Sequence, residues 1–255
     1  MKKNLLYVGI AIVAIAIIIV GIFAIKGRTY KAQNPIATIK VDGYDTPIKI
    51  ELDPQSAPNA VANFIKLANN GFYNGYKMSI DEDAIVCNQT TEMARLSNIM
   101  EYPQNDYIYG IKGDFIRNGF DNLIKHKKGV ITMQRDDFSY FGLAEEGYNS
   151  ANCNFAILTQ DKENYNGNYA AFGTVIEGMD VLEKIAESRV ETPDTTTEGQ
   201  EQDESINQIT ISSISVETYG IDYGLPEYVN YEENMEKVNK IYSQYFGENS
   251  QVNVE

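Results

Sequence analysis

Residues that could carry out chemistry are few in this 255-residue chain. The single histidine, His126, stands among lysines, and the two cysteines, Cys87 and Cys153, lack the CxxC spacing of a zinc site. A metal centre is therefore not expected. The segment 69–80, NNGFYNGYKMSI, instead combines two Asn-Gly turns with aromatic residues and a short strand, and no carboxylate comes before Asp81. Turn, aromatics and strand could form the wall of a binding groove.

The overall charge narrows the classes of partner. The formal net charge is −15 and the isoelectric point is near 4.5. A nucleic-acid-binding surface needs a basic patch, so no nucleic-acid partner is expected. Strong acidity also disfavours a domain that lies flat on anionic lipid. A soluble, self-repelling surface is the simplest interpretation.

The N-terminal region predicts a membrane anchor. Residues 5–25 contain no charge and are long enough to cross a hydrocarbon core of about 30 Å as a helix. A cleaved signal peptide, whose apolar region spans roughly 7–15 residues, is the alternative. We expect an anchor over residues 1–28 and a short linker over 29–34. Lysine and arginine are nearly balanced across the span, but the short N-terminal tail favours a soluble domain on the extracytoplasmic side of the cell membrane.

The rest of the chain reads as many short strands with few helices. Apolar alternation predicts strands, and the run after Ser56 predicts a helix that begins near Pro58 and ends at Gly71. The stretch 190–205 is acidic and Thr-rich, which predicts a solvated loop. Short strands at regular spacing favour a closed antiparallel barrel. The strands are expected over 37–41, 47–52, 76–80, 84–88, 129–133, 154–158, 169–175 and 206–217, and further helices over 178–188 and 230–246.

Five segments resemble one known family, in order along the chain. APNAVANFIKLANNGFYNGYKM and KGDFIRNGFDNLIKHKKGVITMQR resemble patterns of the cyclophilins, and so do NSANCNFAI, NGNYAAFGTVIEGMDVLEKI and ESINQITISSISVETYGIDY. The chain is identified as a diverged, membrane-anchored bacterial member of the cyclophilin-type peptidyl-prolyl cis-trans isomerases. The resemblance covers residues 35–225 and leaves 226–255 as a tail with a helix.

This resemblance implies a mainly β fold: a closed eight-stranded antiparallel barrel capped by two helices, here preceded by one N-terminal transmembrane helix. It also implies that extended X-Pro segments bind in a groove on the barrel. Catalysis in the family needs no cofactor and no covalent step. An arginine near the prolyl nitrogen weakens the amide resonance that sets the rotation barrier of about 18–20 kcal/mol.

The matched groove positions have changed. Ile80 occupies the position of the catalytic arginine, and an isoleucine has no hydrogen-bond donor. Arg135, on the strand that borders the groove, could substitute for it, or could be a strand-end charge that faces water. The resemblance assigns the remaining groove positions to Ile85, Val86, Asn88, Gln134, Asn154, Ala156, Tyr165 and Tyr169.

The two cysteines each precede a groove asparagine. Alternation along a strand turns both side chains away from the groove, toward the same interior. Outside the cell Cys87 and Cys153 could pair as a disulfide. Alternatively, they are two small buried apolar residues.

Three functions remain open at this point. The first is an isomerase or foldase that acts on extracytoplasmic chains, with activity weak or lost because Ile80 replaces the arginine. The second is a catalytically inactive peptide- or protein-binding module of the cell envelope. A purely structural scaffold is the third. The expected partners are extended proline-containing segments or secreted and envelope proteins.

Overall fold

The structure, a computed structural model, describes residues 33–88, 109–190 and 207–246. The described residues from Asn34 onward fall into one compact unit. The predicted membrane-spanning helix and nearly all of the predicted acidic loop lie outside the described residues. Within those residues, no helix is both long and apolar enough to cross a membrane.

Eight of the ten strands in the described part of the chain close into a barrel, in the order β1-β2-β8-β6-β7-β4-β3-β9. Every neighbouring pair is antiparallel. The predicted eight-stranded antiparallel barrel is therefore confirmed. The strands are β1 (Ile36–Val41), β2 (Ile48–Leu52), β3 (Lys77–Ile80), β4 (Ala84–Cys87), β5 (Tyr109–Ile111), β6 (Val130–Met133), β7 (Phe155–Leu158), β8 (Ala171–Glu177), β9 (Gln208–Glu217) and β10 (Tyr228–Asn230).

The first helix, α1 (Pro58–Asn69), begins close to its predicted position. Asp53 stabilises the turn before this helix, because its side chain accepts hydrogen bonds from the backbone N–H groups of Gln55 and Ser56 at 3.0 and 3.1 Å. Proline suits the first helical position because its missing N–H would have no partner there. Gly71, at φ +73°, then turns the chain out of the helix.

The second helix, α2 (Met179–Glu187), follows directly on β8. Gly178 precedes it at φ +82°, and a β-carbon there would lie 2.5 Å from the carbonyl oxygen of Pro47. Only glycine fits this turn. The helix buries Val181, Leu182 and Ile185 in the apolar cluster that also contains the inward side chains of the barrel.

Aromatic rings fill the barrel where α1 packs against it. Phe64 of α1 meets Phe155 edge-on, with ring centroids 5.5 Å apart. It also contacts Phe172 at 5.3 Å and Tyr73 at 5.6 Å. Edge-to-face contacts add about 0.5–1.5 kcal/mol to the burial of such rings. These contacts join the helix, the Asn-Gly turn and two strands into one core.

A second, smaller sheet joins distant parts of the chain. Strands β5 and β10 pair antiparallel, with Val229 opposite Gly110. This sheet was not expected from the sequence. Helix α3 (Glu232–Phe246) follows β10 at almost its predicted bounds. Its Met235 and Val238 pack with Phe138 in a separate buried cluster.

Phe155→Ala is expected to lower the free energy of unfolding by about 3–5 kcal/mol, because it removes a fully buried ring and leaves a cavity. Denaturant unfolding followed by circular dichroism measures the loss. Leu123→Ala is the control, since Leu123 is 74% exposed and should change the stability by less than about 0.5 kcal/mol. Equal effects of the two substitutions would contradict the proposed core.

Candidate functional site

An open cavity of about 290 Å³ lies on the outer face of the barrel. Its volume is near the lower end of the range of about 300–1,000 Å³ typical of small-molecule sites. Strands β4 and β7 supply its apolar side chains, and the residues that adjoin these strands, together with the segment after β6, supply the polar ones. The lining residues are Asp81, Asp83, Ala84, Val86, Asn88, Gln134, Arg135, Asp136, Ser150, Asn152, Asn154, Ala156, Leu158 and Tyr165. We call this cavity the groove.

The floor of the groove is apolar and largely buried, with Val86 as its most exposed side chain. Val86 lies opposite Ala156 in the β4–β7 ladder, and Ala84 lies opposite Leu158. Opposite residues in antiparallel strands share one face, so these four side chains form a single patch. Val86 and Ala156, both predicted groove residues, are brought together here, and the floor suits an apolar ring.

Amide side chains border the floor. The side-chain nitrogen Nδ2 of Asn154 donates to Oδ1 of Asn88 at 3.0 Å. The backbone N–H of Gln134 donates to the carbonyl oxygen of Asn154 at 3.0 Å. These three predicted groove residues line the cavity together with Asn152. Amides both donate and accept hydrogen bonds, so this border suits the peptide groups of an extended chain.

Arg135 is the one cationic residue among the described residues that line the groove. Its Nε donates to the carbonyl oxygen of Asn168 at 2.8 Å, and its Nη1 donates to that of Asp136 at 2.6 Å. Its guanidinium carbon lies 4.6 Å from the ring centroid of Tyr169 and about as far from two more rings, Phe115 at 5.5 Å and Tyr148 at 5.4 Å. Such cation–π contacts fix the guanidinium in place. Among the described residues, no hydrogen-bond acceptor lies against its Nη2.

Carboxylates lie at both ends of the groove. Asp83 forms an ion pair with Lys162. Burial, followed by the charge of Asp83, raises the pKa of Asp81 above its usual value. At the other end, burial raises the pKa of Asp136, while the hydroxyl of Tyr231 and the charge of Arg135 lower it. The groove is thus acidic despite Arg135.

Ile80 and Ile85 do not line the groove, contrary to the sequence expectation. They lie opposite each other in the β3–β4 ladder, and both belong to the apolar core inside the barrel. Alternation explains the difference, because Ser79 pairs with groove-lining Val86 and must share its outward face. Strand β3 therefore presents Ser79 outward and passes directly into Asp81, and its isoleucine faces inward.

The two predicted tyrosines differ in position. Tyr165 lines the groove, whereas Tyr169 lies behind it and stacks on Tyr165 at a centroid distance of 4.3 Å. Tyr169 also carries the shortest of the three ring contacts to Arg135. It therefore supports the groove through its neighbours.

The possible disulfide between the two cysteines is not formed, and the alternative, two small buried residues, applies. Cys87 and Cys153 are both buried as free thiols in the barrel core. The sulfur of Cys153 instead contacts Oδ1 of Asn154 at 3.5 Å. Burial raises the pKa of Cys153 to about 12, so it remains a neutral thiol at physiological pH. The inward orientation inferred from alternation is correct, and the cysteines act as small apolar residues.

Buried His126 supports the floor from behind. Its Nε2 lies 3.1 Å from the hydroxyl of Thr132, which is paired with Ala156. Its Nδ1 lies 3.2 Å from Oδ1 of Asn166. Burial lowers the pKa of His126, so the ring stays neutral and structural.

Some lining residues were missed by the sequence interpretation. Ala84 and Leu158 are each two positions from a predicted groove residue, so alternation alone could have identified them. Asp136 and Ser150 lie in the irregular segment after β6, where no periodicity guides a prediction. No group of three or more His, Cys, Asp or Glu side chains within the described ranges is arranged to hold a metal ion.

Comparisons with known proteins agree with this geometry. The family model for "cyclophilin type peptidyl-prolyl cis-trans isomerase/CLD" matches residues 36–216. Peptidyl-prolyl cis-trans isomerase A of Dickeya dadantii is 28% identical over 144 residues, which cover 56% of this chain and 68% of that protein. A probable peptidyl-prolyl cis-trans isomerase of Brucella suis is 28% identical over 186 residues, or 69% of this chain and 83% of that one.

Solved structures show the same fold. A cyclophilin type peptidyl-prolyl cis-trans isomerase of Cryptosporidium parvum superposes with a TM-score of 0.50 at 16% identity, covering 72% of this chain and 98% of that one. The Mimivirus cyclophilin superposes with a TM-score of 0.50 at 17% identity, covering 74% and 92%. At these identities the likeness concerns the fold.

The inward position of Ile80 is testable with a pair of substitutions on one strand. Ile80→Arg is expected to lower the free energy of unfolding by about 3 kcal/mol or more, because it buries an unpaired charge. Ser79→Arg places the same side chain on the outer face and should cost less than about 1 kcal/mol. Thermal and denaturant unfolding measure both. The opposite order of stabilities would mean that Ile80 faces the groove.

Proposed function

Because this chain belongs to the cyclophilin-type peptidyl-prolyl cis-trans isomerase family, we propose that its groove binds extended, proline-containing segments and that its isomerase activity is weak or lost. The observation that carries the proposal is the chemistry of the groove. Its floor and amide border are suited to a proline and its flanking peptide groups, but strand β3 brings no guanidinium to them.

The floor supports the binding half of this proposal. A proline ring needs an apolar surface that is free of competing hydrogen-bond donors, and half-buried Val86, which packs on the buried side chains of Ala84, Ala156 and Leu158, provides one. The flanking peptide groups must keep hydrogen-bond partners when they leave water, since an unpaired buried polar group costs about 1–3 kcal/mol. Asn88 lines the cavity together with its neighbouring amides and could supply such partners.

The electrostatics support the catalytic half. Rotation about an X-Pro bond faces a barrier of roughly 18–20 kcal/mol that arises from amide resonance. A donor placed at the prolyl nitrogen would weaken that resonance, and removal of one such donor typically costs a factor of about 10²–10³ in rate. The β3 side of the groove offers Asp81 instead. Arg135 lies at the other end, held by two carbonyl oxygens and three aromatic rings.

The second candidate function is an inactive binding module. The place at which Arg135 is held favours it, because two carbonyl oxygens fix the guanidinium at the end of the groove opposite Asp81, away from β3. Rate and affinity separate the two candidates. A weak isomerase binds and accelerates, whereas a binding module only binds.

The site of action is part of the proposal. The uncharged run at residues 5–25 is consistent with a single-pass anchor. We place the groove on the extracytoplasmic side, where secreted or envelope proteins would supply the segments that bind. Protease added to intact cells should then degrade the domain, whereas a cytoplasmic control protein remains whole. Protection of the domain in intact cells would contradict this orientation.

Isomerase activity can be tested by restoring a guanidinium. The full-length protein in detergent micelles should accelerate cis-trans exchange of an Ala-Pro peptide by less than about tenfold over background. Asp81→Arg should raise the rate up to about 10²-fold over Asp81→Asn, because it places a donor at the groove. Asp81→Asn controls for the loss of the carboxylate. The rates are measured by NMR exchange spectroscopy.

A strong acceleration by the unmodified protein would contradict the proposal, since Arg135 or another donor would then be sufficient. If all three proteins bind the peptide and none accelerates its exchange, the binding module is favoured. Absence of binding in all three would exclude both candidates.

A further inference from the structure

The chain continues beyond the part that matches the family model, which ends at residue 216, and this continuation is tied to the barrel. Strand β10 pairs with β5. The backbone N–H of Glu227 donates to Oδ1 of Asn59 at 2.7 Å, and the backbone N–H of Lys112 donates to the carbonyl oxygen of Glu227 at 2.9 Å. These contacts deliver the next residues of the segment to one end of the groove.

Tyr231 is the point at which this segment reaches the groove. Its side chain is 1% exposed, and its hydroxyl donates to Oδ2 of groove-lining Asp136 at 2.8 Å. The two residues are 95 positions apart in sequence. A hydrogen bond to a charged acceptor is stronger than a neutral one, and burial shields it from water. The pair therefore fixes the Asp136 side chain from outside the family domain.

Asp136 in turn contacts Arg135 through its backbone. Its carbonyl oxygen accepts from Nη1 of Arg135 at 2.6 Å, and its N–H donates to the hydroxyl of Ser150 at 2.7 Å. Gly147 closes this corner, because a β-carbon there would lie 2.2 Å from the Asp136 carbonyl oxygen. Side chain, N–H and carbonyl of Asp136 are thus all engaged. A displacement of the Asp136 backbone would remove the acceptor of the Arg135 Nη1.

Helix α3 also contacts the segment that follows β6. Asn234 donates through Nδ2 to the carbonyl oxygen of Glu146 at 3.0 Å, and Lys237 pairs with the Glu146 carboxylate at 3.1 Å. Met235 and Val238 bury apolar surface against Phe138. The segment after β6, which carries Asp136 and Ser150, is therefore clamped between the barrel and the C-terminal segment.

We infer that Tyr231 is a positioning residue of the groove, which holds the Arg135 guanidinium at its end through Asp136. The relevance of this to peptide binding rests on the proposed function. The held guanidinium presents its Nη2 donors to a carbonyl oxygen of the bound segment. A residue of the C-terminal segment thereby positions a side chain in the groove of the domain that matches the family model.

The test compares Tyr231→Phe with Tyr245→Phe in the full-length protein. Both remove one hydroxyl and keep the ring, but Tyr245 is 72% exposed and lies far along α3. The first readout is solvent exchange of the Arg135 Nε–H, which donates to the Asn168 carbonyl oxygen at 2.8 Å. We expect at least about tenfold faster exchange in Tyr231→Phe, since a hydrogen bond to a charged group changes an equilibrium by about that factor. Tyr245→Phe should match the parent.

A purely structural role for Tyr231 would not move the second readout, which is the pH dependence of that exchange. Burial raises the pKa of Asp136. Two neighbouring groups, the Tyr231 hydroxyl and the charge of Arg135, lower this pKa. Removal of the hydroxyl removes a lowering influence, so the pKa rises. The acid midpoint should therefore lie at higher pH in Tyr231→Phe than in the parent.

Affinity for a blocked peptide with one Ala-Pro bond is the third readout, and it should fall about tenfold in Tyr231→Phe alone. If the parent binds and Tyr231→Phe matches it in exchange, acid midpoint and affinity, the inference is wrong while the proposed function stands. If the parent binds no Ala-Pro peptide, the proposed function fails, and the two exchange readouts decide the role of Tyr231. If the parent binds no peptide and exchange is also unchanged in Tyr231→Phe, the positioning role of Tyr231 is overturned.

Discussion

The two-residue repeat of the β-strand is the constraint on which the rest of this structure depends. Strands β4 and β7 each contribute side chains both to the barrel core and to the groove. In β4, Ile85 and Cys87 face the barrel core, while Ala84 and Val86 face the groove. Each residue of a barrel strand faces either the interior or the outside, so a residue that packs in the core cannot also line the groove. The groove can change its chemistry freely only at outward positions, and the core fixes the alternate ones.

This division explains how the fold can persist while the site changes. The rings of Phe64, Phe155 and Phe172 keep the barrel closed. On the outer face the same strands carry small apolar side chains and amides, and the adjoining segments add carboxylates. Under the proposed function, such a surface binds an extended chain, but β3 brings no guanidinium to the peptide bond that would rotate. Binding and catalysis are thereby separable, because the first needs shape and hydrogen-bond partners and the second needs a placed charge.

Much of the fold could be predicted from the sequence, because the barrel strands alternate and α1 is bounded by proline and glycine. Val86 and Ala156, which the family resemblance assigned to the groove, both line the cavity. Ile80 was misplaced because an ungapped match to a motif says nothing about the pleat, whereas its pairing with Ile85 turns it inward. The β5–β10 sheet and the contact between Tyr231 and Asp136 were not foreseeable. They join segments that are distant in sequence through short, irregular stretches with no periodic signal.

The central claim is that the groove binds a proline without accelerating cis-trans isomerisation of the X-Pro bond. Intermolecular NOE spectroscopy on a bound Ala-Pro peptide tests this claim most directly. The account predicts NOEs from the proline ring to the methyl groups of Val86 and Ala156. It also predicts that cis-trans exchange stays slow, as in free peptides, where it takes tens to hundreds of seconds. Proline-ring NOEs to other parts of the barrel, or rapid exchange of the bound peptide, would contradict it.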